Sequence, residues 1–142
     1  MGQTQSIQKC NYEDVLSFIS GQYSNSTNKI IINTLPEGEQ TCLIKNTISY
    51  NKEEEFMNHS LHNNKSIKII IYGKNSNDQT IYDKYKKIYE LGFTNVYLYI
   101  GGLFEWLCLQ DIYGFENFPT TMKELDILKF KSKSSMLDNL IL

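Results

Sequence analysis

Ile67-Lys68-Ile69-Ile70-Ile71-Tyr72-Gly73-Lys74-Asn75-Ser76-Asn77-Asp78-Gln79-Thr80-Ile81 is the stretch that decides the fold. Its first six residues, Ile67 to Tyr72, are rich in β-branched side chains and read as a strand buried on both faces. A polar loop, Gly73 to Asp78, follows and contains no cysteine. Asp78-Gln79-Thr80 then opens a helix in which Ile81, Tyr85, Ile88 and Leu91 fall at helical spacing, and Gly92 ends it. Downstream, Val96 to Ile100 is another strong strand. Gly101-Gly102 turns tightly into a helix carrying Phe104, Trp106, Leu107 and Leu109, which stops near Gly114.

Upstream, Asn11 caps a short helix whose first turn is acidic, Glu13 and Asp14, and whose apolar face is Val15, Leu16, Phe18 and Ile19, ending near Gly21. Ser24 to Asn28 reads as a loop. Ile30-Ile31-Ile32 suits a central parallel strand, broken by Leu35-Pro36-Glu37-Gly38. Leu43 to Tyr50 alternates loosely and is expected to be a further strand, with Lys52 to His62 helical. Past Pro119, Met122 to Leu128 reads as a capped helical turn, followed by a Lys/Ser-rich stretch and an apolar ending, Met136-Leu137 and Leu140-Ile141-Leu142, expected to pack back on the domain. Strands alternating with helices at these lengths predict an α/β domain with a mostly parallel central sheet and helices on both faces.

From about Lys29 to Gln110 this order of segments resembles the rhodanese-like (thiosulfate sulfurtransferase-like) domain. Two places carry the likeness. Ile67 to Leu91, followed by Gly92-Phe93 and Val96-Tyr97, is similar to the family's strand, active loop, helix, Gly-Phe, strand; Gly101-Gly102 through Trp106 is similar to its Gly-Gly-x-x-x-Trp signature. The resemblance implies one rhodanese-like domain over 11–130, an N-terminal segment 1–10 and a tail 131–142. It also implies that the first loop residue should be the nucleophilic cysteine, whereas Gly73 stands there. The arginine, or similar donor, that closes the family's loop is replaced by Asp78. Near the first strand the family has an aspartate and an arginine, and here Asn33 and Leu35 occupy that neighbourhood. Leu43-Ile44-Lys45-Asn46-Thr47-Ile48 looks like a heavily altered form of the family's His-Ile-Pro-Gly-Ala segment.

A persulfide-forming enzyme needs a thiolate cradled by N–H groups and a cation to attack its sulfur donor. Gly73 offers no side chain, and the charge of Asp78 repels oxyanions and is better placed to cap the helix after it. The reading is a pseudoenzyme that binds a protein partner through Gly73, Lys74, Asn75, Ser76, Asn77 and Asp78. One alternative is a sulfurtransferase using another thiol, with Cys42 as the nucleophile; another is a structural protein, such as a virion component. Cys108, with apolar neighbours, reads as a core thiol. His59 and His62 share a helical face but lack further ligands at zinc spacing, so no metal and no cofactor is expected.

At 142 residues, 41% hydrophobic and 13% aromatic, the chain suffices for one packed domain. Its net charge of −2 gives no electrostatic ground for nucleic acid. Three cysteines at unrelated spacings, without a cleavable signal peptide, point to reduced intracellular thiols. No apolar run approaches the ~20 residues that cross a bilayer. Met1-Gly2-Gln3-Thr4-Gln5-Ser6 fits the acceptor pattern for N-myristoylation at Gly2. The expected location is the cytoplasm, or the cytoplasmic face of a membrane if Gly2 is acylated, where Lys9 and S-acylation of Cys10 are candidate second signals.

Overall fold

The computed structural model describes residues 6–20 and 28–137. Gly2, the helix end at Gly21, residues 24–27 and the last apolar residues, Leu140 to Leu142, lie outside the described residues.

Four parallel strands, β1 (Lys9–Cys10), β2 (Lys29–Asn33), β3 (Lys68–Tyr72) and β4 (Val96–Tyr99), form one sheet in the order β1-β4-β3-β2. The register sets Ile30 beside Ile69 and Ile71 beside Leu98. Because side chains alternate along a strand, the isoleucine runs of β2 and β3 feed two separate cores. On one face Ile31, Ile70, Tyr72 and Tyr99 meet Val15 of α1 (Tyr12–Ile19) and Leu103, Trp106 and Leu107 of α4 (Gly102–Tyr113). On the other, Ile32, Ile69, Ile71 and Leu98 meet Met57 of α2 (Tyr50–Asn63) and Ile81, Tyr85 and Ile88 of α3 (Thr80–Glu90). The α/β class with helices on both faces stands as expected. An ion pair between Lys84 of α3 and Glu53 of α2 ties the two helices of the second face.

Asn11 caps α1 as anticipated: its side chain accepts from the N–H groups of Glu13 and Asp14, and Asp14 returns the bond to the Asn11 N–H. The helix begins at Tyr12 and ends at Ile19.

Three expectations give way. Leu43 to Tyr50 is not a strand; it makes isolated bridges only, Ile31 with Thr47 and Ile44 with Thr120, and Asn46 reverses the chain at φ 70°. Asparagine tolerates that left-handed conformation, so the loose alternation marked buried Leu43 and Ile44 rather than a pleat. Met122 to Asp126 is irregular, and only Ile127 and Leu128 of the expected turn are helical, in a short 3-10 helix at Ile127–Phe130. In the described part of the apolar ending, Met136 and Leu137 are 90% and 55% exposed, since Phe130 already closes the core beneath.

Candidate functional site: the loop after the central strand

β3 delivers Gly73 to the C-terminal edge of the sheet, where ligands of open α/β sheets generally bind. The loop is sewn to the start of α4 by backbone bonds: Leu103 N–H donates to the Gly73 carbonyl and Phe104 N–H to that of Lys74, both at 2.9 Å. Such an approach requires Gly102. Its φ is +67°, and a Cβ there would stand 2.7 Å from the Gly73 carbonyl oxygen and 3.0 Å from the Asn75 nitrogen. The Gly101-Gly102 pair read from sequence as a turn is thus also the seat of the loop.

Within the loop Asn75 and Asp78 turn their polar groups inward, while Ser76 and Asn77 are exposed. Asn75 is buried; its Nδ2 donates to the Phe130 carbonyl at 3.0 Å, and its Oδ1 accepts from Asn77 N–H at 2.9 Å. Asp78 makes the central closure. Its Oδ2 accepts from the Lys74 N–H at 2.8 Å, and its Oδ1 from the Thr80 N–H at 3.0 Å and from the Thr80 hydroxyl. The expected helix cap is therefore half the story: one oxygen holds the first residue of α3, and the other reaches back into the loop. A Cβ on Gly73 would lie 2.4 Å from Asp78 Oδ2 and 2.9 Å from Ile81 Cγ2. The carboxylate stands where any side chain at position 73 would begin.

The loop's cation is also engaged, since Lys74 Nζ pairs with Glu39 Oε1 at 2.9 Å. At the end of β2, Asn33 and Gln40 exchange amide hydrogen bonds of 3.0 and 2.9 Å, and Asn33 Oδ1 accepts from the Leu35 N–H. A neutral amide pair fills the end of β2, where the family resemblance implies an aspartate and an arginine. Tyr72 is fully buried beneath the loop; burial pushes its phenol up, and its oxygen accepts from the Ile44 N–H at 3.0 Å.

None of the three thiols lines the space around the loop. Cys42 is 2% exposed in the first core, its Sγ donates to the Met122 carbonyl at 3.5 Å, and burial pushes the thiol up. Cys10 lies half-buried on β1, where burial and then the charge of Asp14 raise its thiol to about 12. Burial, helped by Asp111 and Glu105, also raises Cys108. Gly73 to Asp78 do form one unit; Cys42 is not part of it, and Gly2 lies outside the described residues. His59 Nδ1 lies 3.3 Å from the Asn63 amide on the same helix.

Sequence reasoning missed the wall facing the loop. Across an open groove of about 850 Å³ from Lys74 and Asn77 stand Leu128, Lys129, Lys131 and Lys133. The signal in the sequence is the two-residue spacing of Lys129, Lys131 and Lys133.

A parallel sheet with its central loop bound to a Gly-Gly-headed helix defines an α/β domain of the rhodanese type. The chain belongs to the rhodanese-like domain family, whose family model matches residues 22–108. The fold is similar to that of the BH2092 protein from Bacillus halodurans, with TM-score 0.59 and 16% identity over 87% of this chain and 90% of that one. It is also similar to the Alr3790 protein from Anabaena sp., with TM-score 0.54 and 16% identity over 84% of this chain and 97% of that one. A search among curated proteins found no match.

Proposed function

We propose that this chain is a rhodanese-like module without sulfurtransferase activity, whose loop from Gly73 to Asp78 belongs to a surface that binds a protein partner. The observation that carries the reading is the seat of Asp78. Its carboxylate occupies the space beside Gly73 and takes the Lys74 N–H that a loop-bound anion would use. A thiosulfate approaching the loop meets a fixed negative charge and no nucleophile. The cation beside it is already neutralised by Glu39. The same residues argue against tyrosine-phosphatase chemistry, which uses the same cysteine and arginine types. Cys42, buried and held protonated, is a poor substitute.

A thiosulfate:cyanide assay on the purified chain tests this. Thiocyanate should not exceed the protein-free blank. Turnover abolished by Cys42→Ser would overturn the reading and move the chemistry to that thiol.

Gly2 belongs to the same proposal as an N-myristoyl acceptor that gives a reversible hold on a membrane. Among the described residues no helix is long and apolar enough to cross one. Intact mass after co-expression with an N-myristoyltransferase should show one added acyl group, absent in Gly2→Ala. An unmodified wild-type chain would end the tether.

A further inference from the structure

We infer that the groove between the loop and residues 127–133 is a docking site for a short extended peptide in which carboxylates flank an aliphatic side chain. The inference rests on reading the loop as a binding surface, and it names the chemistry of the partner.

Charge is the first argument. Lys74, Lys129, Lys131 and Lys133 all line the groove, in a chain whose net charge is −2. Two of them are engaged: Lys74 with Glu39, and Lys129 with Glu124 at 2.7 Å. Lys131 and Lys133 have no ion pair among the described residues, so two cations face the groove without a counter-charge. Asp78, the acid in the lining, has already spent both oxygens on Lys74 and Thr80.

The apolar component is Leu128, 63% exposed in the same lining. An aliphatic side chain laid against it would remove apolar surface from water within the lysine-lined groove. The size of the groove leaves room for more than a small oxyanion. About 850 Å³ falls in the range of sites that hold molecules of several hundred daltons, which suits a few peptide residues.

The kind of cation narrows the partner further. All fourteen basic residues of the chain are lysines, so the groove has no guanidinium fork for bidentate capture of a phosphate. Separate ammonium groups suit separate carboxylates. A lysine patch confined to one groove of an acidic chain does not offer the broad basic surface by which nucleic acid is held.

Fluorescence anisotropy with the full chain and a labelled Gly-Asp-Glu-Leu-Asp-Glu-Gly peptide tests the inference. This peptide should bind, and versions with lysine in place of the acids, or serine in place of the leucine, should bind at least about tenfold and about threefold more weakly. Affinity should fall severalfold as ionic strength rises from about 0.05 M to about 0.3 M. Lys131→Glu with Lys133→Glu should abolish binding, while Lys52→Glu with Lys86→Glu, exposed on other elements, should leave it intact. Amide NMR shifts on titration should move at Lys74, Asn77, Leu128 and Lys131, a readout that needs no variant. Equal binding of the basic peptide, shifts confined to other surfaces, or no binding would each overturn the inference. Displacement of the peptide by millimolar inorganic phosphate would also overturn it, by reassigning the groove to an oxyanion. Sulfur transfer in the cyanide assay sinks the reading of the loop; a silent enzyme that ignores the acidic peptide sinks only the choice of partner.

Discussion

The two walls of the groove are built on opposite principles. In the loop after β3, Asn75 and Asp78 turn their polar atoms onto neighbouring backbone, and Lys74 is paired. In the facing strap, residues 127–133, Leu128 is largely exposed, and Lys131 and Lys133 carry no ion pair among the described residues. A satisfied polar group stabilises the fold but has little left to offer a partner, whereas an unpaired one does the reverse. In this domain the loop after β3 spends its polar groups on the fold, and the cations without an ion pair among the described residues sit across from it.

That contrast can be broken by substitution. The largest effect is expected at Gly102, where alanine meets both a left-handed backbone and the Gly73 carbonyl. A loss of about 4 kcal/mol in urea unfolding is expected. A loss below about 1 kcal/mol would mean that the loop is not seated on α4 as described.

Next come Gly73→Ala and Asp78→Gly, each expected to cost about 2 kcal/mol, because either one ends the charge-assisted bonds from Lys74 and Thr80. Since the alanine acts by evicting the carboxylate, the double variant should cost little more than one single. Additive losses would show that Asp78 does not fill the place of a side chain at 73.

A pH series sharpens the picture of the buried core. Burial raises Cys10 from 9.0 to about 12, and raises Tyr72 and Tyr99 as well. The unfolded chain therefore loses these protons first, and the native state keeps them. Stability from the Cys10 proton is fully present below about pH 9 and should decline steadily from there to about pH 12. Cys10→Ala should flatten the onset of that decline, read from denaturation midpoints.

The smallest effect belongs to Lys74 and Glu39. Both are partly exposed, so a double-mutant cycle should give about 0.5 kcal/mol, fading with salt. In the strap, Lys131→Ala should change stability by less than about 0.5 kcal/mol, in keeping with a residue held for contact rather than for folding.

Much of the scaffold was legible because its signals are local. The isoleucine runs of β2 and β3 can be satisfied only by strands covered on both faces. Ile81, Tyr85 and Ile88 recur at the period of a helix, and all three are buried on α3. β1 escaped because two residues have no periodicity; it exists through pairing with Leu98 and Tyr99, far away in sequence. The segment around Asn46 misled because its apolar residues are buried without a ladder, the chain reversing at Asn46 and making only isolated bridges. At the site, the glycine at the head of the loop could be read directly, but the inward turn of Asp78 depends on the geometry between Gly73 and Ile81. The groove depends on Phe130, whose carbonyl holds Asn75 and so brings the lysine strap over the loop, a contact fifty-five positions apart.

All four strands point the same way, and that fixes a polarity for the whole particle. Lys29 and Lys68 start β2 and β3 side by side at one end of the sheet, while β1 pairs with the last two residues of β4, Leu98 and Tyr99. The groove opens at the far pole, where the strands finish. A partner seated in the groove would therefore meet the finishing ends of the strands and leave the opposite end, with Lys29 and Lys68, uncovered.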